Sequence, residues 1–308
     1  MWKTALFLLL TIIVLPFFAF RFSEPLTDLQ YAVLMDLVMI YIVAAGACFI
    51  VSLFSNNYSQ VDKLWSVIPI AYVWIIAIRS GYEPRLLLMA ALVTIWGIRL
   101  TYNFSRRGGY SLKFWTGEED YRWAVLRAKP EFRANWKWTL FNLLFISYYQ
   151  MGLILLFTLP ALQSMNGGPL GLFDYLLAAI FLGFVVLETI ADQQQWVFQK
   201  EKNRLRALGQ PLPDKYKKGF VSTGLWGVVR HPNYASEQAI WITFYFFSVI
   251  ATGLWLNWSV IGAILLVLLF RGSSDFSEGI SAGKYSEYST YQEKVARFLP
   301  LRVRKSSR

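Results

Sequence analysis

Long apolar runs alternate with polar segments along most of the chain. A bilayer-crossing helix needs roughly 17 to 25 residues, and runs of about that length recur from the N-terminus to about residue 270. They cover 4–20, 31–54, 64–78, 86–103, 139–163, 172–196 and 234–270. The pattern predicts an all-α integral membrane protein in which these runs pack as a multi-helix bundle.

The last apolar run is too long for one membrane span. At about 1.5 Å per residue, 234–270 would extend to roughly 55 Å, nearly twice a hydrocarbon core of about 30 Å. Gly253 and Asn257 lie in its middle and predict a break there. Splitting the run gives eight segments, although the short run 64–78 could also be tilted, re-entrant or buried in protein. We therefore expect seven or eight transmembrane helices.

The start of the chain has two interpretations. Lys3 followed by a Leu-rich run fits a secretory signal peptide, but the run is long for one and no small-x-small cleavage site follows it. We expect this run to be a transmembrane helix and to form, with the second run, an N-terminal region at 1–54.

The composition narrows the possible chemistry. Of the 308 residues, 56% are hydrophobic and 16% charged, which disfavours disorder, collagen-like repeats and coiled coils. The single cysteine, Cys48, and the single histidine, His231, exclude a Cys/His zinc site, a histidine-rich di-iron centre and an internal disulfide. Only an all-carboxylate magnesium site escapes this exclusion. We expect no metal.

The net charge of +11 is concentrated in three segments. The segments 101–138, 197–232 and 271–308 each hold eight Lys or Arg residues, whereas 164–171 holds none. Under the positive-inside rule the basic segments lie in the cytoplasm, and eight spans give them all the same side. Topology and anionic lipids explain the charge, so we expect membrane lipids and no nucleic acid among the partners. The C-terminus, with the basic tail 303–308, is expected to be cytoplasmic.

The most specific stretch is Gly224-Leu-Trp-Gly-Val-Val-Arg-His-Pro-Asn-Tyr-Ala-Ser-Glu237. Pro232 suits the first position of a helix, so a helix should begin near His231. Its free amides, preceded by Arg230 and His231, favour an anion. Asn233 and Glu237 are four residues apart and share one helix face. Alternatively, Arg230 and Tyr234 anchor the chain at the membrane surface. Asn233 and Glu237 would then be polar residues at the helix start without a functional role.

Two further helices are predicted to carry polar stripes. Trp96, Arg99, Asn103 and Arg106 recur at three- and four-residue spacing, and Glu188, Asp192, Gln195 and Gln199 do the same with Lys200 beside them. The first stripe could bind a pyrophosphate and ribose, or consist of arginines that extend to the membrane surface. Carboxylates inside an apolar span are functional candidates, although pairing with neighbouring basic side chains would also explain them.

An acid lies at the entrance to the third run, in Asp62-Lys-Leu-Trp65. Entry into an apolar region favours the neutral carboxylic acid, which could donate a hydrogen bond to a carbonyl oxygen. A helix N-cap or first-turn acid is the alternative.

The loop 108–138 combines basic residues with four tryptophans. This mixture is typical of a membrane-surface segment, and we favour that interpretation over a cofactor lid.

The motif 224–237, the two apolar runs after it and the tail Lys284-Tyr-Ser-Glu-Tyr-Ser-Thr-Tyr-Gln-Glu-Lys-Val-Ala-Arg-Phe-Leu-Pro300 resemble the C-terminal domain of the steroid 5α-reductase superfamily. The resemblance covers roughly 55–302 and is greatest to a bacterial branch catalogued as a domain of unknown function. The superfamily includes sterol C14 reductases and, more distantly, isoprenylcysteine carboxyl methyltransferases that use S-adenosylmethionine. The motif alone does not choose between hydride and methyl transfer.

The resemblance also implies roles for individual residues. Asp62 would bind a substrate ketone with a tyrosine for which Tyr72 and Tyr102 are candidates. Asn233 and Glu237 would hold the nicotinamide amide, Arg230 and His231 would lie near the phosphates, and Asp192 near the ribose. The remaining cofactor-binding candidates are Arg99, Asn103, Arg106, Lys200, Trp226, Tyr234, Tyr285 and Tyr288. No Gly-x-Gly-x-x-Gly follows a strand, so the cofactor would lie between helices.

These observations together predict a membrane enzyme with its catalytic domain at 55–302. We expect an oxidoreductase of lipid metabolism in the bacterial inner membrane, with a cofactor site open to the cytoplasm. It would use NADPH to reduce a carbon–carbon double bond conjugated to a ketone in a lipophilic, steroid-like substrate. An S-adenosylmethionine-dependent methyltransferase is the alternative.

Overall fold

The computed structural model describes residues 2–21 and 23–300, and its regular structure is helical. Within these residues no strand is formed, and the only extended pairing is a single parallel bridge between Val229 and Ala296. The predicted all-α class is therefore confirmed. The predicted basic tail 303–308 lies outside the described residues.

The helices differ widely in length. The α-helices are Trp2–Arg21, Asp28–Ser55, Gln60–Leu64, Ile68–Arg79, Pro84–Ser105, Tyr121–Arg127, Asn135–Phe141, Gln150–Thr158, Pro160–Gln163, Leu172–Ala207, Asp214–Lys217, Leu225–Val228, Pro232–Thr252, Val260–Lys284 and Tyr288–Lys294. Pro130–Phe132 is a 3-10 turn, and Asn142–Tyr149 is π-helical. The π-helical stretch, a rare conformation that often marks functional sites, was not predicted.

In the described part of the chain, five helices are long and apolar enough to cross a membrane. They are Asp28–Ser55, Pro84–Ser105, the composite helix Asn135–Gln163, Leu172–Ala207 and Val260–Lys284. Shorter apolar helices cover Leu10–Arg21 and Ile68–Arg79. The chain is thus a membrane-type helical protein, and the total of seven or eight spans stays a prediction.

The long apolar run breaks where the sequence predicts. The helix Pro232–Thr252 ends before Gly253, which has a left-handed φ of 71°, and the next helix begins at Val260. Asn257 stabilises the connection because its amide donates to Ser248 Oγ at 3.1 Å and its Oδ1 accepts from the Ser259 amide at 3.1 Å. The two helices are therefore separate elements.

The fold contains two compact units. The first comprises Met1–Ile180 and Trp241–Val267, and the second comprises Phe181–Ile240 and Leu268–Arg308. The predicted domain boundary after residue 54 lies inside the first unit.

Aromatic side chains fill the interior of the first unit. Trp241 meets Trp96 edge-on, with ring centroids 4.9 Å apart, and Phe157 at 4.0 Å. All three rings are almost wholly buried, and Phe244 extends the cluster. Large aromatic side chains bury about 150–250 Å² each, so this cluster is a main source of hydrophobic stabilisation in the first unit.

A buried ion pair fixes the loop before the helix Leu172–Ala207 in the first unit. The Arg85 guanidinium donates to both carboxylate oxygens of Asp174, at 2.7 and 3.1 Å, and both side chains are buried. It also donates to the backbone carbonyls of Gly167 and Pro169. Because the charges are removed from water, each depends on the other for compensation.

Breaking this pair from one side should strongly destabilise the protein. We expect Arg85→Ala to lower the free energy of unfolding by about 3–5 kcal/mol, because it leaves the Asp174 carboxylate buried and unpaired. Thermal unfolding of the detergent-solubilised protein would measure the change. The matched control is Arg79→Ala, which breaks a half-exposed pair with Asp36 and should cost about 0–1 kcal/mol. Equal losses in the two variants would contradict this account.

Candidate functional site

The segment before the helix Pro232–Thr252 is held against the helix Leu172–Ala207 in the second unit. Gly224 has a φ of 62°, and a side chain there would collide with the amide of Gln194. Gln194 Oε1 accepts from the Leu225 amide at 3.0 Å, and the Trp226 indole donates to the Ala191 carbonyl at 3.0 Å. The predicted cofactor residue Trp226 therefore fixes the backbone of the motif. The helix begins at Pro232, as the sequence predicts.

Asp192 and Asn233 meet at the first turn of this helix. Asn233 Nδ2 donates to Asp192 Oδ1 at 3.3 Å. A carboxylate only accepts hydrogen bonds, so the amide nitrogen has to face Asp192 and the Oδ1 atom faces elsewhere. That Oδ1 is buried and has no hydrogen-bond partner among the described residues. The second unit therefore brings together two predicted residues and leaves one acceptor unsatisfied.

Two further acids are buried in the second unit. Glu237 lies one turn after Asn233 on the helix Pro232–Thr252, and Glu188 lies one turn before Asp192 on the helix Leu172–Ala207. Both are about 4% exposed, as is Asp192. Buried carboxylates are rare unless they are paired or bind a ligand, so these positions are candidates for ligand contacts.

Arg230 and His231 contact a carboxylate that sequence analysis missed. Arg230 Nε lies 2.7 Å and His231 Nε2 lies 2.8 Å from Oε1 of Glu278, which is 2% exposed. The Arg230 guanidinium also donates to the carbonyls of Gln292 and Val295. We expected both side chains near the cofactor phosphates. In the structure Glu278 and backbone carbonyls contact the Arg230 guanidinium and Glu278 contacts one ring nitrogen of His231, and a role of either residue near phosphates stays a prediction.

The C-terminal segment lies along the motif. The backbone amides of Arg230 and His231 donate to the carbonyls of Ala296 at 2.8 Å and Arg297 at 3.1 Å, and the Tyr291 hydroxyl donates to the Trp226 carbonyl. Arg297 also pairs with Asp275 at 2.5 Å. Helix start and tail are thus one hydrogen-bonded assembly around Glu278.

The predicted adenine-side residues form an aromatic cluster around Phe220. Its ring centroid lies 5.8 Å from that of Tyr285 and 4.9 Å from that of Tyr288. The predicted Lys200 is exposed, whereas Lys202 is buried and donates to the Gly219 carbonyl at 2.7 Å. Two lysines contact this cluster, since Nζ of Lys202 lies 5.9 Å and Nζ of Lys284 lies 5.5 Å from the Tyr285 ring centroid.

Tyr234 packs as an interior aromatic residue. Its ring stacks on His231 at 5.3 Å and lies 4.7 Å from the ring of Phe270. These contacts hold the first turn of the helix Pro232–Thr252 against the helix Val260–Lys284, and a role of Tyr234 in cofactor binding stays a prediction.

Asp62 belongs to the first unit and contacts a tryptophan and a serine. Trp123 Nε1 donates to Asp62 Oδ2 at 3.3 Å, and the Ser59 hydroxyl also hydrogen-bonds to the carboxyl. Burial raises the pKa of Asp62, and the nearby negative charge of Asp120 raises it further. The pKa of Asp62 is thus shifted toward the neutral acid, the direction that the sequence predicts, and the aromatic residue that donates to it is Trp123.

The two tyrosine candidates for pairing with Asp62 occupy different surroundings. Tyr72 is wholly buried, and within 2–21 and 23–300 its hydroxyl has no hydrogen-bond partner, as is also true of the buried Tyr149 at the end of the π-helical stretch. Tyr102 is 67% exposed, and its ring lies 5.8 Å from the Arg106 guanidinium carbon. The structure therefore weakens Tyr102 as a carbonyl-binding residue and leaves Tyr72 a prediction, with Tyr149 as an unforeseen candidate.

The predicted stripe on the helix Pro84–Ser105 also lies in the first unit. Arg106 Nε donates to Asn103 Oδ1 at 2.9 Å, so two members of the stripe contact each other. Arg99 is half-buried one turn earlier, while Trp96 belongs to the aromatic core. A role of Arg99, Asn103 and Arg106 in cofactor binding stays a prediction.

The missed residues left different traces in the sequence. Glu278 lies in the basic segment 271–308, beyond the last apolar run, so the charge pattern does not indicate its burial. Lys202 is two residues from Lys200, and the helix phase that buries it could not be fixed. Trp123 gave no signal, since its contact with Asp62 depends on loop geometry. No group of three or more metal-ligating side chains occurs among the described residues.

Comparison with known proteins identifies one family and one relative. The family described as "Protein of unknown function (DUF1295)" matches residues 48–295. An uncharacterized protein of the fission yeast Schizosaccharomyces pombe is 37% identical over 264 residues, which cover 81% of this chain and 74% of that protein. No solved structure matches the chain significantly.

Removing Glu278 should destabilise the second unit. In Glu278→Ala the buried Arg230 and His231 lose their shared partner, and we expect the free energy of unfolding to fall by about 3–5 kcal/mol. Thermal unfolding would measure this, and limited proteolysis should show earlier cleavage in 288–298. The control Asp275→Ala removes a mostly exposed carboxylate and should cost about 0–1 kcal/mol. Unchanged stability in Glu278→Ala would refute the central role of Glu278.

The raised pKa of Asp62 predicts a pH-dependent difference between wild type and Asp62→Asn. Because the native pKa lies above the ordinary value of about 3.9, folding binds a proton. The stability contributed by Asp62 is therefore lost as pH rises from that value through the native pKa. The asparagine variant lacks this loss, so its melting temperature relative to wild type should rise as the pH is raised from about 4. A difference that is constant with pH would contradict the assignment.

Proposed function

The chain belongs to the DUF1295 family, and on that premise we propose that it is a membrane-embedded, NADPH-dependent reductase. Its substrate would be a lipophilic, steroid-like molecule with a carbon–carbon double bond conjugated to a ketone. The resemblance of the motif 224–237 to the steroid 5α-reductase superfamily supports this reaction class, and so does the arrangement of acids and amides in the second unit.

The observation that carries the proposal is the Asp192–Asn233 pair with its unsatisfied acceptor. Leaving a buried oxygen without a donor costs about 1–3 kcal/mol, and such atoms often mark sites completed by a ligand. The nicotinamide carboxamide has an NH₂ group that could donate to Asn233 Oδ1. The ribose hydroxyls could donate to buried carboxylates such as Asp192. The residues present therefore fit this cofactor.

Asp62 fits the second requirement of the reaction. NADPH would supply the hydride for the β-carbon of the enone, and a proton from water would complete the reduction at the α-carbon. Negative charge develops meanwhile on the ketone oxygen. A carboxyl group kept neutral by burial can donate a hydrogen bond to that oxygen, and such donors stabilise most strongly where water is scarce.

One observation favours the alternative cofactor. The pairing of Arg230 and His231 with Glu278 removes two expected phosphate contacts. S-adenosylmethionine carries no phosphate, and its amine could also donate to Asn233 Oδ1. A methyltransferase therefore remains the second candidate. Under the NADPH proposal, exposed basic residues such as Lys200 would have to neutralise the phosphates.

Ligand-induced thermal stabilisation separates the two candidates. A ligand at about 100 times its Kd stabilises the native state by about 2.7 kcal/mol. We expect NADPH to raise the melting temperature of the purified protein, and S-adenosylmethionine and its demethylated product to leave it unchanged. The reverse pattern would replace the proposal by the methyltransferase, and no shift with any of them would refute both.

Variants then locate the cofactor. Asn233→Ala should weaken NADPH binding about three- to tenfold, consistent with one lost hydrogen bond, and Glu237→Gln should weaken it too. Asp62→Ala should reduce turnover of an enone while NADPH affinity stays nearly unchanged. The matched control is Ser236→Ala, because the Ser236 hydroxyl bonds only to its own helix, at the Pro232 carbonyl. Equal NADPH affinity of wild type and Asn233→Ala would refute an NADPH site at Asn233 in the second unit.

A further inference from the structure

The loop 110–117 has an exposed apolar tip in the first unit. The Leu112 side chain is fully exposed, Phe114 is 66% exposed and Trp115 42%. Lys113 lies among them and is also exposed. A single exposed apolar residue is ordinary, but a contiguous group of this size usually marks a surface that meets an apolar partner.

Side chains of the protein donate hydrogen bonds to the backbone carbonyls of this tip. The four consecutive carbonyls of residues 114–117 accept hydrogen bonds from three buried side chains of the segment 57–63. The bonds run from Lys63 Nζ to Phe114 at 3.0 Å and to Thr116 at 2.8 Å, from Gln60 Nε2 to Trp115 at 3.1 Å, and from Asn57 Nδ2 to Gly117 at 2.9 Å.

These hydrogen bonds are informative because the backbone carbonyls of a loop in water do not need donors from the protein. Carbonyl groups on a solvated loop can bond to water, whereas irregular backbone at membrane depth is tolerated only when protein groups satisfy it. The Tyr110 hydroxyl also donates to the Lys63 carbonyl at 2.7 Å, which fixes the base of the loop. The loop is therefore preformed for surroundings that contain little water.

A cleft separates the loop from the end of the helix Asp28–Ser55. Its volume is about 430 Å³, and it is lined by Val51, Phe54, Ser55, Phe114, Trp115 and Thr116. Phe54 is 86% exposed, and Ile50 and Leu53 are exposed on the same helix. The apolar surface of this membrane-crossing helix thus continues directly into the cleft.

We propose that the loop 110–117 inserts into the membrane surface and that the cleft binds an acyl chain of an anionic phospholipid. The continuous apolar surface of the helix Asp28–Ser55 supports an acyl chain as the occupant. Lys113 at the tip, with the exposed Arg107 before the loop, supports an anionic headgroup. The site is separate from the proposed cofactor residues of the second unit and does not depend on the proposed activity.

A fluorescent label at the loop tip tests the insertion. Leu112→Cys places a thiol at the tip for an environment-sensitive fluorophore, while the native Cys48 is buried. The full chain would be reconstituted in vesicles of phosphatidylcholine with phosphatidylglycerol. We expect blue-shifted emission and about twofold quenching by lipids with spin-labelled acyl chains, since the tip lies among those chains. The matched control is Gln210→Cys in an exposed polar segment, which should be neither shifted nor quenched.

The other outcomes overturn the proposal. Emission typical of water at position 112 would place the loop outside the membrane. Blue-shifted emission without quenching by spin-labelled lipid would mean that a protein or a soluble ligand covers the tip.

A second measurement tests the cleft itself, in protein shown by thermal unfolding to be folded. Native mass spectrometry should find phosphatidylglycerol retained by wild type, and several-fold less retained by Phe114→Ser and by Lys113→Glu. Equal retention by wild type and Phe114→Ser would refute the acyl-chain site. Retention that Lys113→Glu leaves unchanged would refute the headgroup contact.

Discussion

The buried carboxylate of Glu278 is the constraint around which the second unit is organised. A negative charge inside a membrane-type helix is costly unless the protein supplies compensating partners. Arg230 and His231 supply them from the start of one helix, and the C-terminal segment closes over the same group through Gln292, which donates to it at 2.7 Å. The position at which the helix Pro232–Thr252 begins, and with it the position of Asn233, is thereby fixed.

In the first unit, too, buried charged groups have compensating partners, but these groups have different structural roles. Arg85 and Asp174 neutralise each other to hold a loop, whereas the buried Lys63 supports the carbonyls of another loop. At Asp62, next in sequence to Lys63, burial raises the pKa of the carboxyl and so shifts it toward the neutral acid. One short helix, Gln60–Leu64, therefore carries both a lysine in a structural role and an acid available for hydrogen-bond donation.

Most of the fold could be predicted because bilayer thickness and apolar run length are directly related. The break at Gly253 and the helix start at Pro232 follow from backbone preferences that a sequence displays. The candidate site was harder to predict from the sequence. Asn233 and Asp192, both predicted as site residues, contact each other, but the pairing of Arg230 with Glu278 joins residues 48 positions apart. Neither spacing nor composition reveals which of several charged partners a buried arginine selects.

The shortness of the helix Ile68–Arg79 affects how the protein responds to its lipid environment. At about 18 Å, a lipid-facing helix of this length would force the bilayer to thin, at a cost of fractions of a kcal/mol per Å of hydrophobic mismatch. Tyr72 and Ile76 near the middle of this helix are wholly buried. On that face the helix contacts protein, so the bilayer does not have to adapt to its length. Sorting between thicker and thinner membranes would therefore act through the longer helices and leave the surroundings of Tyr72 unchanged.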